Sequence, residues 1–271
     1  MPFTLAHPAA VLPLRGVRYL RMAPLVVGAI APDFPYYLPS RMARLVPATH
    51  LLAHSVTLDL PLGLALLAGL VLLRRPLTAL LWPRARMVCL RALTPFDRVS
   101  DWVLAVPAIV LGVWTHLLWD SFTHSDGWMV HRVSALSAPF TLGPYTGTVC
   151  HALQYLSSVL GLFVLVLWYA RLPALRTEPG PDRARSAAGP VLLLVAAAAV
   201  LIGAVQGVRE FRRTPSVYDT LGAVLTEGVS WFAVLYLTAG IVLTLEHGSE
   251  PLVVPAARAR AQRGVPNSIA Q

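Results

Sequence analysis

Residues 102–124 read WVLAVPAIVLGVWTHLLWDSFTH, an apolar run from Trp102 that closes with His116, Asp120 and His124 at steps of four. About 20 apolar residues suffice for a helix to cross a bilayer. On such a helix each step of four turns the side-chain direction by only about 40°, so the three polar residues share one stripe. An ionisable group at the bilayer centre costs at least about 2.5 to 3.5 kcal/mol, so this stripe must face protein rather than lipid. The segment therefore reads as a membrane span with a metal-binding edge near its end.

The rest of the chain has the same character. Of its 271 residues 56% are hydrophobic and only 13% charged, and the mean hydropathy is +0.64, well outside soluble composition. Runs from Val56 to Leu73, Trp102 to Phe122, Val149 to Ala170, Ala187 to Val208 and Leu221 to Leu245 predict five full spans of an all-α, polytopic helical bundle. A sixth run, Met22 to Leu38, is broken by Pro24, Pro32, Asp33 and Pro35. It reads as one arm of a short N-terminal hairpin with residues 4–14 or, as the alternative, as a sixth span. Arg15, Arg18 and Arg21 before Ala29-Ile30-Ala31 imitate a secretory leader, but the basic region starts late and Pro32 follows the small residues. Residues 1–248 are expected to form one integral membrane domain, with the motifs in residues 1–160. Residues 249–271, rich in Pro and Arg, are expected to be a disordered cytoplasmic tail.

The net charge of +9 comes from arginine alone, since the chain has no lysine. The arginines sit mostly in loops, where topology accounts for them, and a nucleic-acid partner is excluded on that ground. Cys89 and Cys150 are too few for a disulfide framework or a cysteine metal site. The Arg74 to Asp101 and Arg171 to Ala187 loops carry the arginine clusters and should be cytoplasmic. The loop with Arg209, Arg212 and Arg213 then falls outside, against the rule. In this orientation Asp33, His54, the His116 to His124 stripe, His151, Gln206, Glu210 and Glu227 all fall on the outer face.

Two pairs have the spacing with which a helix offers two ligands to one ion: His50 with His54, and His116 with Asp120. Neither belongs to an HExxH motif. Each element has a plainer reading. His50 fits an interfacial loop, His124 a helix C-cap, and His116 with Asp120 a hydrogen-bonded interhelical pair. His151 and Gln154 lie one turn apart and read as peripheral contacts, as do His50 and His124. Asp59 projects about 140° away from His54 on a regular helix and is left out of the site.

The opening Met1-Pro2-Phe3-Thr4 through His7-Pro8-Ala9-Ala10, then Ala31-Pro32-Asp33-Phe34, His54-Ser55 and Trp114 to His124, resemble a bacterial family of uncharacterised multi-pass membrane proteins. That family is similar to inner-membrane proteins regarded as metal-dependent hydrolases and, more distantly, to zinc-dependent phospholipase C. The resemblance covers roughly the first 160 residues. It implies His7, Asp33, His54, His116 and Asp120 as metal ligands and places the protein in the bacterial cytoplasmic (inner) membrane. Two departures stand out: Phe34 occupies the place of a second acidic residue, which argues against a two-metal centre, and Ala53 that of a Thr before the histidine.

The function expected on these grounds is metal-dependent hydrolysis of a lipid or lipid-linked ester or phosphoester at the outer leaflet. One divalent ion, zinc by its ligand set, would activate water, and Asp33 or Glu227 would act as general base. Membrane lipids are then both solvent and substrate source. The competing reading is a non-enzymatic transporter or assembly factor whose buried His and Asp residues form a polar clamp.

Overall fold

The computed structural model describes residues 4–38, 46–143, 145–172 and 182–246; the tail assigned to residues 249–271 lies outside them. Five helices are long and apolar enough to cross a membrane: Leu52–Leu72, Val99–Thr123, Val149–Arg171, Ala188–Arg213 and Val217–Glu246. These are the five expected spans, numbered here first to fifth. The protein is an all-α, multi-pass membrane bundle, to which one short antiparallel hairpin, Pro139–Leu142 with Tyr145–Thr148, is added between the second and third spans.

The Met22 to Leu38 run adopts the hairpin alternative. Its α-helix covers only Met22–Ile30, about 14 Å at 1.5 Å per residue, well short of a bilayer core. Pro32 lacks the N–H that the next α-helical turn would need, and the chain tightens into a 3-10 helix, Ala31–Tyr37, with Pro35 inside it. The preceding arm is a chain of short turns, Thr4–Ala6, Pro8–Val11 and Leu12–Gly16.

The second span is the pillar of the bundle. Ala105, Ala108, Ile109, Gly112, Val113, His116 and Asp120 are among its buried positions, recur with the helical period and form a single stripe. The stripe packs against the Met22–Ile30 helix through small residues. A Cβ on Gly28 would collide with the Ile109 carbonyl, and one on Gly112 with the Leu25 carbonyl. Glycine at both positions lets the backbones touch, as close helix crossings in membranes require. Leu67 of the first span, Val27, Ile109 and Val113 complete the core there.

The crossing is locked at its far end by charge. Arg21, just before the short helix, donates to Asp101 Oδ1 at 2.6 Å and to the Pro95 carbonyl. Asp101 also accepts from the Arg98 backbone N–H at 3.1 Å, capping the second span. These contacts fix the tilt of the short helix, and so where its C-terminal turn and Asp33 end up.

The first span does not begin as a regular helix. Leu51 is extended, with φ −98° and ψ 124°, Leu52–His54 form a 3-10 turn, and Ser55–Asp59 form a π turn before the α-helix starts at Leu60. This irregular start decides which histidine faces the centre of the bundle.

Replacing Gly112 with Ala should cost about 1–3 kcal/mol, the usual penalty of overpacking a close contact. Gly69 of the first span, whose Cβ would meet nothing within 4 Å, is the control, and Gly69→Ala should be neutral or slightly stabilising. Thermal unfolding in detergent checks both; equal melting temperatures for the two variants would overturn the role given to the crossing.

Candidate metal centre

Asp33, His50, His116 and Asp120 each present one ligand atom, and these four atoms lie within 4.8 Å of one another. They come from three segments: the Pro32 turn, the loop before the first span, and, for His116 and Asp120, two successive turns of the second span. His116 Nε2 is 3.1 Å from Asp120 Oδ2 and 3.7 Å from Asp33 Oδ1. His50 Nε2 is 3.4 Å from both carboxylates. Asp33, His116 and Asp120 are buried, whereas the His50 side chain is 22% exposed.

Backbone carbonyls hold the two imidazoles in place. His116 Nδ1 lies 2.9 Å from the Ala29 carbonyl, and His50 Nδ1 lies 2.9 Å from the Val46 carbonyl. A carbonyl can only accept, so each Nδ1 carries a proton, and each ring when neutral turns an Nε2 lone pair inward. Those two Nε2 atoms are 3.4 Å apart. Two lone pairs and two carboxylates facing one another repel unless positive charge lies among them. Histidine oriented by a carbonyl on its other nitrogen is also the usual arrangement of a metal ligand.

Asp33 is oriented in the same way. Thr4 Oγ1 donates to its Oδ2 at 2.7 Å and in turn accepts from the Tyr37 hydroxyl at 2.6 Å. Only Oδ1 is therefore directed to the centre. The Thr49 hydroxyl donates to the Pro32 carbonyl at 2.7 Å, tying the residue before His50 to the turn that carries Asp33.

The donor set suits a divalent ion. Two imidazole nitrogens and two carboxylate oxygens match zinc or a similar metal in type and number. Both oxygens of Asp120, both ring nitrogens of His7 and Nε2 of His124 are buried without a hydrogen-bond partner among the described residues. Natural proteins rarely leave so many buried polar atoms unsatisfied in one place. No arginine is paired with Asp33 or Asp120 among the described residues. In the metal-free protein burial opposes charge on His50, but the Asp120 and Asp33 carboxylates outweigh it and push the imidazole up to about 10. Burial likewise opposes ionisation of Asp33, and His116 and His50 override it to hold the carboxyl below its ordinary range. For His7 burial prevails, followed by the charge of His116, and it falls to about 4.

The structure brings together four of the five residues read as ligands. Asp33, His116 and Asp120 converge, and His7 stands against them, its Nε2 3.5 Å from Asp120 Oδ1 and its ring stacked on His116. His54 does not join them. Its Nδ1 is taken by the Ala48 carbonyl at 3.0 Å, and His50, read as peripheral, occupies the position instead. Spacing by four puts two residues on one stripe only along a helix, and the extended Leu51 breaks that register. The Thr-His pair looked for at Ala53-His54 occurs four residues earlier, as Thr49-His50.

His124 caps the second span and also brings Nε2 to 3.5 Å from Asp120 Oδ2, so it is nearer than a peripheral role implies. His151 stacks on Tyr218 at 4.9 Å, and the fully buried Gln154 lies one turn further along the third span. Neither is among the four residues whose ligand atoms converge. Glu227 lines a separate cavity of about 400 Å³ with Gln206, Arg209, Glu210 and Arg213. The base assigned to it does not meet the four candidate ligand residues there. Asp59, set aside on helical geometry, is fully buried with both oxygens unpartnered among the described residues, because the π turn rotates it inward. Only its burial could have been guessed from its apolar neighbours.

The charge on His50 sets a pH dependence for the chelator-treated protein. Its folded pKa is raised from 6.5 to about 10, so the ion pair contributes fully below about 6.5 and is lost as pH rises through about 10. The melting temperature should fall across that window, and His50→Gln should flatten the fall; a slope unchanged in that variant would refute the assignment.

Comparison with known proteins adds a family and no activity. No curated protein and no solved structure matches the chain. The family described as Domain of unknown function (DUF4184) matches residues 1–244, which include every residue of the cluster and all five spans up to the last turn of the fifth. The chain belongs to the DUF4184 family of domains of unknown function.

Proposed function

We propose that the protein is a membrane-embedded metal-dependent hydrolase acting on a lipid or lipid-linked ester or phosphoester. The observation that carries this reading is the pair of imidazoles whose Nδ1 protons are fixed by carbonyls and whose Nε2 atoms face two buried carboxylates. Asp33 Oδ1, His50 Nε2, His116 Nε2 and Asp120 Oδ2 would hold the ion. When bound, a divalent ion of this kind lowers the pKa of water toward about 7 and polarises an ester or phosphoryl oxygen.

The chain's own residues supply orientation and surroundings. Thr4 and Tyr37 keep Asp33 as a one-oxygen donor, which leaves it poorly placed to serve as a separate base. Water activated by a metal needs less help from a strong base, so the position of Glu227 in another cavity does not count against hydrolysis. A lipid substrate is supported by a neighbouring apolar cavity of about 490 Å³ between the second and third spans, lined by Leu118, Trp119, Phe122, Leu153 and Leu160 among others. Trp119 lies between this cavity and His7, whose ring it meets edge-on at 5.8 Å and which stacks on His116. A volume of this order suits an acyl chain.

Metal analysis of the purified protein tests the centre directly. Wild type should retain zinc or manganese through desalting, and His50→Ala and His116→Ala should each reduce affinity by about 10-fold or more. His54→Ala should keep its metal; equal losses in His50→Ala and His54→Ala would sink the ligand assignment. Hydrolysis of a phospholipid in mixed micelles should vanish on chelation and return with metal. Full metal occupancy without turnover on ester or phosphoester lipids would leave a metal-stabilised polar clamp as the better reading.

A further inference from the structure

The end of the bundle opposite the candidate metal centre holds a cavity between the N-terminal arm and the third span. The two elements touch at Ala6 and Gly161, where a Cβ on the glycine would stand 3.0 Å from the Ala6 Cβ. Past that contact the arm passes into the 3-10 turn Leu12–Gly16, and a cavity of about 500 Å³ opens between turn and helix. Leu12 lines it from the arm, and Val164, Leu167 and Trp168 line it from one face of the third span.

Two arginines line the same cavity, Arg15 from the turn and Arg171 from the last turn of the third span. Both are exposed, and the one arginine ion pair among the described residues belongs to Arg21 and Asp101 instead. Neighbouring arginines are committed elsewhere: Arg21 also donates to the Pro95 carbonyl, and Arg18 lies over the ring of Tyr19 at 5.8 Å. Arg171 is not needed to cap its own helix. Arg84 reaches across to donate to the carbonyls of Tyr169, Ala170 and Leu172, and its guanidinium lies 5.0 Å over the Tyr169 ring.

Two permanently charged guanidinium groups therefore share one apolar-walled cavity without a carboxylate between them. An anion there would offset their mutual repulsion. The walls select among anions, because inorganic phosphate leaves Leu12, Val164 and Leu167 uncovered whereas an acyl chain covers them. Trp168 is a residue of the type that sits at headgroup level.

We propose that this cavity binds an anionic glycerophospholipid, with its phosphate between Arg15 and Arg171 and the start of an acyl chain against Leu12, Val164, Leu167 and Trp168. Basic pockets between transmembrane helices take acidic headgroups in this way. The site is independent of the metal-centre reading, since none of the four ligand residues lines this cavity. A lipid held there also ties the arm whose Thr4 orients Asp33 to the third span.

The test titrates full-length, lipid-depleted protein in detergent with phosphatidylglycerol and with phosphatidylcholine of the same acyl chains, read by native mass spectrometry. One phosphatidylglycerol should bind at least about 5-fold more tightly than phosphatidylcholine. Arg15→Gln and Arg171→Gln should each weaken that binding about 5-fold, and Arg18→Gln should leave it unchanged. Equal affinity for the two lipids in wild type would overturn the proposal, as would phosphatidylglycerol binding that neither substitution alters. Displacement of phosphatidylglycerol by an equal concentration of inorganic phosphate would make the free anion the ligand and overturn it too. The lipid comparison is made in wild type, so it decides the matter even where a substituted protein folds poorly. Failure here leaves the proposed function untouched.

Discussion

The contact between Gly28 and the backbone of the second span is the constraint on which the rest of the structure depends. Only because Gly28 and Gly112 lack side chains can the Met22–Ile30 helix lie directly on the second span. That proximity puts the Ala29 carbonyl 2.9 Å from His116 Nδ1. The same short helix then delivers Asp33 to the end of the bundle where His116 and Asp120 emerge. A larger residue at either glycine would separate the helices and dissolve the site before any ligand was touched.

Electrostatics explains why this arrangement could hold a metal ion. A buried ion pair is stable only when its members satisfy one another. Here the carbonyls have already used the Nδ1 protons of His50 and His116, so the inward-facing atoms of the cluster are acceptors. In the metal-free protein protonation of His50 relieves the conflict, which is why its imidazole rises to about 10. A divalent ion would relieve it more completely, with all four atoms as ligands. An interhelical clamp built for stability alone would be expected to contain complementary donors, and the orphaned atoms of His7, Asp120 and His124 are the opposite of that.

Much of the fold was legible in the residues. Five spans follow from run length and hydropathy, and Pro32 and Pro35 explain why the Met22 run stops short of being a sixth. The His116 and Asp120 pair was legible because it lies inside one regular helix, where spacing alone gives direction. His50 was missed in favour of His54 because that judgment assumed an α-helix across residues 50–54, where the chain instead runs through an extended residue and a 3-10 turn. Asp59, left out of the site, is buried but is not among the four residues whose ligand atoms converge.

What the sequence by itself determined is the membrane-spanning helical class and the histidine and aspartate stripe of the second span. Both depend on local periodicity and on the high cost of charge in hydrocarbon. Only the tertiary structure decided which residues from other segments meet that stripe. His7, Asp33 and His50 come from irregular turns, whose side-chain directions no period predicts. Their convergence is set by contacts distant in sequence: the glycine crossing, the Arg21 to Asp101 pair and the Thr49 bond to Pro32. Sequence patterns reveal direction within one helix, whereas a ligand set assembled from several segments depends on how those segments pack.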